Sequence, residues 1–134
     1  MSLGVSDVEF TVEQVYTSQQ GSPERKLIAA ALRAVVGKGL KKPVIFKINS
    51  LNIQNNWALL SGIPLEKNGM RIDYCNTSYQ EMIDAGLFDD WICALPHKKD
   101  SHWTVITHVI GATDAPFIDW AERYHAPADI FKLD

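Results

Sequence analysis

The chain is poor in the features that announce a chemistry. Only two of its 134 residues are cysteine, Cys75 and Cys93. They have no CxxC spacing, no nearby ligand set and no evident base beside them, so the sequence offers neither a zinc framework nor an activated thiol. Both are expected to be unbonded, small, partly buried side chains. No run approaches the roughly 18 apolar residues of a membrane span; the longest apolar-rich stretch, residues 27–36, is short and contains Arg33. The net charge of -3 removes the basic footprint of a nucleic-acid binder. There is no GxSxG, no phosphate-cradling glycine loop, no HExxH and no EF-hand loop. The glycines stand at helix ends and turns, where backbone geometry accounts for them. No cofactor and no metal is expected.

What is present is ordinary globular composition, 46% hydrophobic and 22% charged, in a length that suits one domain. Met1-Ser-Leu-Gly4 has no basic or apolar leader region and reads as an added start. Val12, Val15 and Tyr16 suit a helix in the N-terminal segment, residues 5–21, which is expected to pack on the body. Ser22-Pro23 is a clear helix start. Leu27, Ile28, Ala31, Leu32, Val35 and Val36 follow at helical spacing, and Gly37 and Gly39 are expected to stop the helix. Strands are predicted over residues 44–53, 57–63, 91–97 and 103–110. In the first, Val44, Phe46 and Ile48 share one parity while Leu51 and Ile53 share the other, which requires a bulge near Asn49-Ser50. Pro64 is expected to end the second strand or mark its edge.

Thr77-x-x-Gln80 and Ser78-x-x-Glu81 read as capping boxes before a short helix whose inner side is Tyr79, Met82, Ile83 and Leu87. A polar turn, residues 98–101, joins the last two strands. A final helix is predicted over residues 117–124, capped by Asp114, with Ile130 and Phe131 of the tail docking on the body. The fold class is therefore α+β: a curved antiparallel sheet of about four strands with an N-terminal helix, a short middle helix and a C-terminal helix. Both parities of residues 103–110 are substantially apolar, so both sheet faces are expected to be covered, one by the first helix and the other by the tail, a ligand or a second subunit. Leu27, Leu32, Phe46, Trp57, Met82, Val105 and Trp120 are the predicted core.

Several segments carry a resemblance: Pro43-Val-Ile-Phe-Lys-Ile48, Asn56-Trp-Ala-Leu-Leu-Ser-Gly62, Asn68-Gly-Met-Arg-Ile-Asp73, and above all the run from Gly111 through Asp114-Ala-Pro116 and Asp119-Trp-Ala-Glu-Arg-Tyr124. Together they resemble a family of small uncharacterised bacterial proteins, often exported. The resemblance implies a bacterial source and a periplasmic or secreted location, and it brings no activity and no catalytic residues. In topology, a helix against a curved antiparallel sheet is similar to cystatin-like and NTF2-like architecture, which hosts unrelated functions. The cystatin hairpin Gln-x-Val-x-Gly is not met by Thr107-His-Val-Ile-Gly111, which lacks the Gln.

Five residues are candidates for ligand binding, and none for catalysis. Asp73, before the short helix, is either a loop carboxylate holding a turn or a pocket base of isomerase type. His108, among Val and Ile on the last strand, is either hydrogen-bonded in the structure or a pocket acid or base. Trp57, Trp91 and Trp103 fall on strands, where they fill the core or, if two share a concave face, floor a small-ligand site. His97, Asp100 and His102 flank one turn, but a functional zinc site needs three or four well-placed ligands, so a solvated turn is expected. The leading reading is a non-catalytic binding or interaction domain for a small molecule or protein. The alternatives are an NTF2-like pocket protein or isomerase using Asp73 and His108, and a structural homodimer.

Overall fold

The computed structural model describes residues 16–17, 22–75 and 77–131. The elements run β1 (Tyr16–Thr17), α1 (Pro23–Leu40), β2 (Val44–Gln54), β3 (Trp57–Glu66), α2 (Gln80–Asp84), β4 (Ile92–Lys99), β5 (His102–Ile110), α3 (Trp120–Tyr124) and a 3-10 turn, Ala128–Phe131. The strands form one antiparallel sheet in the order β1-β2-β3-β4-β5. The class is α+β, as the turns and periodicities require.

Ser22 caps α1: its hydroxyl accepts from the Arg25 amide at 3.2 Å, and Pro23 opens the first turn. Ile28, Leu32 and Val36 form the buried stripe. The helix does not stop at Gly37 or Gly39. It reaches Leu40 and ends on Lys41 in the left-handed conformation (φ 60°), with the Lys42 amide on the Gly37 carbonyl. Leu40 packs on the core cluster, which outweighs a glycine penalty of about 1 kcal/mol each. At the N-terminal side, Tyr16 and Thr17 pair with Ile53 and Asn52 as strand rather than helix, in keeping with their preference for a pleated ladder. The rest of the expected N-terminal helix lies outside the described residues.

Two bulges shape the sheet. In β2, Ile48 pairs with Gly62 and Ser50 with Ser61, which leaves Asn49 as the extra residue. Val44, Ile48, Leu51 and Ile53 thereby reach one face together. In β5, Leu95 pairs with Thr107 but Pro96 with Val105, so Ile106 is the extra residue. Pro96 lacks the N–H a regular ladder would use there. This second bulge corrects the expected alternation: Trp103, Val105 and Ile110 lie on the α1 face, and Val109 on the other. Pro64 does not end β3; it pairs with Phe46, and beyond Gly62 β3 has parted from β4 and pairs with β2 and, through a single bridge from Leu65, with Arg71, so that a missing N–H at Pro64 is tolerated. The hairpin loops are two-residue turns with both residues left-handed, Asn55-Asn56 and Asp100-Ser101. His97 therefore pairs with Thr104 and Lys99 with His102, so the two histidines do not face one another.

The sheet has a layer on each face. α1 covers one, approaching β2 and the far edge strand β5 most closely, as happens when a sheet curls about a helix. On the other, Leu59, Cys93 and Leu95 pack against Trp120, Ala126 and Ile130 of the C-terminal segment. The Asn52 side-chain amide donates to the Ile130 carbonyl at 3.2 Å. Phe131 joins the same cluster and stacks on Phe117. Leu32 and Trp120 are core residues as expected, and Phe46, Trp57 and Val105 are half-buried. Leu27 (55% exposed) and Met82 (40% exposed) are not core: Leu27 is turned about 100° from the Ile28 stripe, and α2, five residues long, buries no residue fully. The short helices also start later than predicted. α2 has no side-chain cap; the Thr77 hydroxyl instead accepts from the Tyr79 amide. Residues 115–120 form i,i+3 turns in place of a first helical turn, so Asp114 is exposed and caps nothing.

Candidate functional site

The five candidate residues do not gather in one place. Trp57 opens β3, packs against the His97 ring at a tilt of 36° with ring centroids 4.2 Å apart, and belongs with Trp91 to the cluster under the C-terminal segment. The Trp91 indole N–H is anchored on the Ala112 carbonyl. Trp103 is on the opposite, α1 face. His108 is the cross-strand partner of Ala94, which puts it on the α1 face as well. Asp73 lies in an exposed loop, where its carboxylate accepts from the Cys75 amide at 2.9 Å.

Their electrostatics differ accordingly. The backbone hydrogen bond from Cys75 holds the Asp73 carboxyl below its usual range, which makes it a weak base. Hydrogen bonding to Asp73, together with its negative charge, pushes the Cys75 thiol up; burial pushes Cys93 up to about 12. Cys75 is exposed, Cys93 is buried, and both are free thiols held protonated at neutral pH. One thiol per native chain should therefore react with a disulfide reagent, and slowly, with the second appearing only on denaturation. Two fast native thiols would contradict this placement.

Burial lowers the His108 imidazole below its ordinary 6.5. The unfolded chain then binds the proton more readily, so this contribution to stability is complete above about pH 6.5 and is lost as pH falls toward the folded value. The melting temperature should drop over that window, and His108→Gln should remove that part of the drop. An NMR ring titration at the free-peptide value would overturn the assignment.

A polar cluster that the sequence did not suggest sits where the 71–90 loop meets the sheet. Arg71 Nη1 donates to Asp90 Oδ2 at 2.8 Å. Asp90 Oδ1 and the Tyr74 hydroxyl are buried without a hydrogen-bond partner. Burial, and then the Asp90 charge, raise the Tyr74 phenol, which stays protonated throughout the physiological range. The Tyr74, Tyr79 and Phe88 rings pack together, and Phe88 lies over Gly111. Asp89 donates its amide to the Gly111 carbonyl, and Gly111 donates to the Trp91 carbonyl. The arrangement latches the loop to the ends of β4 and β5. Arg71 and Asp90 are 19 residues apart, so no local periodicity marks the pair.

The remaining feature is an edge. β5 is last in the sheet order and pairs only with β4 among the described residues. Its nine residues include no Lys, Arg, Asp, Glu or Pro. Natural edge strands are commonly protected by charge, proline or cover; here the bulge at Ile106 is the one such device in the strand, and Ile106 itself is 39% exposed. The β4–β5 hairpin is also polarised in charge. Lys98, Lys99 and Asp100 stand at the tip, while Asp89, Asp90 and Asp114 stand at the opposite end, with Arg71 on Asp90.

Comparison with protein-family models, with characterised proteins and with solved structures yields no match. The candidate site rests on the geometry of this chain. Among the described residues no three His, Cys, Asp or Glu side chains are grouped to hold a metal, and no helix is long and apolar enough to cross a membrane.

Proposed function

We propose that this chain is a non-catalytic binding domain, in the exported bacterial setting its resemblance implies, that takes up an extended polypeptide strand along β5. The observation that carries the reading is the uncharged nine-residue edge of β5, whose outer side pairs with no described strand. Unpaired backbone N–H and C=O groups along such an edge are a template for an added strand, which gains ladder hydrogen bonds there. The filling of both sheet faces, by α1 and by the C-terminal segment, supports the edge over the faces as the docking place. The isomerase-type alternative draws no support from Asp73, exposed and bonded to its own loop.

Amide hydrogen exchange tests the reading on a sub-micromolar sample, where association is suppressed. The outward amides of β5 should exchange rapidly while those of β3 and β4 remain protected. Slow exchange along the whole of β5 at that dilution would mean that the chain covers its own edge, and the proposal would fail.

A further inference from the structure

We infer that the strand taken up along β5 is β5 of a second copy of this chain, the two running antiparallel about a two-fold axis. The inference rests on the reading of β5 as a docking edge and names its occupant. Charge supplies the first argument. An antiparallel pairing lays the basic tip of one hairpin, Lys98 and Lys99, beside the acidic end of the other, Asp89, Asp90 and Asp114, and does so twice. Counting Asp100 and Arg71, each tip carries about +1 and each opposite end about -2, within a Debye length of one another. A parallel pairing would set like charges together at both ends, which costs free energy.

Symmetry supplies the second argument. Two identical edges close without leaving a free copy of the same surface when they meet isologously, and for a strand this is the antiparallel two-fold arrangement. With the axis between Val105 and Ile106, the bulge keeps opposed side chains on one face: Trp103 faces His108, Thr104 faces Thr107, His102 faces Val109, and no charged side chain within either strand meets another. The bulge falls at the centre of that register. It leaves two regular segments, so that residues 102–104 of one copy lie opposite residues 107–109 of the other. The product is one continuous antiparallel sheet through both chains. The contact is narrow, so the dimer is weak, at the lower end of specific interfaces.

Sedimentation of the full chain over roughly 1–300 µM, the range of weak association, tests the inference. A monomer–dimer equilibrium is expected. Ile106→Lys, at an exposed position, places two ammonium groups across the axis and should weaken dimerisation at least about tenfold while leaving the circular dichroism spectrum unchanged. Lys99→Glu should weaken it too, and Lys99→Glu combined with Asp114→Lys should restore it, a rescue that a folding defect would not produce. A dimer indifferent to Ile106→Lys and to the charge swap would place the interface elsewhere and overturn the inference. A chain monomeric at every concentration overturns it as well. Amide exchange on that monomer then separates the two readings: a fast-exchanging β5 keeps the docking edge with a different occupant, and a protected β5 removes both.

Discussion

Gly62→Ala is expected to destabilise the fold by about 3 kcal/mol, at the upper end of what overpacking costs. A Cβ at this position would stand 2.5 Å from the Lys47 carbonyl oxygen and 3.1 Å from the Ile48 Cα. Both are backbone atoms of the neighbouring strand, so no side-chain rotation relieves the contact. The two strands must part at the point where the β2 bulge sets their register, between Ile48–Gly62 and Ser50–Ser61. Glycine in a strand commonly marks such a close backbone approach. Two other glycines calibrate the effect. At Gly111 the added carbon would meet the Phe88 ring, which can shift, but φ of +89° strains any L side chain there. At Gly39 nothing lies within 4 Å, so Gly39→Ala should raise stability by up to about 1 kcal/mol through helix propensity. Urea unfolding of Gly62→Ala and Gly39→Ala should thus give opposite signs. A Gly62→Ala loss below about 1 kcal/mol would mean that the bulge does not hold β3 close.

The contrast between the two bulges shows what a sequence can reveal. In β2 the apolar residues change parity, from Phe46 and Ile48 to Leu51 and Ile53, against polar neighbours such as Lys47 and Asn49. The shift is visible because one parity is polar. In β5, Val105, Ile106, Val109 and Ile110 fill both parities, so the extra residue leaves no trace in the pattern. That single residue moved His108 from the expected face to the one it shares with Trp103. Helix α1 was readable at its start, where Ser22 and Pro23 act locally, and misread at its end, where Leu40 packing on the core prevails over two glycines. The latch of Arg71 to Asp90 and the position of β5 at the sheet edge depend on which distant segments meet. Local spacing carries neither. Of the candidate site, the sequence supplied the strand and its lack of charge; the order of strands made it an edge.

Ile130→Ala is expected to cost about 2–4 kcal/mol, the range for emptying a well-filled core position. Ile130 is fully buried among Leu59, Cys93, Leu95 and Trp120, and its carbonyl accepts from the Asn52 side chain. The residue joins the chain's last described turn to the second face of the sheet, so its loss reaches beyond one cavity. If the C-terminal segment is integral to the core, unfolding of the variant remains a single transition with an unchanged denaturant slope. A smaller slope, with new binding of an apolar dye below the main transition, would instead show a segment that lifts off by itself. That outcome has a functional consequence. Trp57 and Trp91 belong to the cluster beneath this segment, and a cover that opens readily would make them the aromatic floor of a ligand site. A full loss in one cooperative step leaves that face as core and the β5 edge as the proposed docking surface.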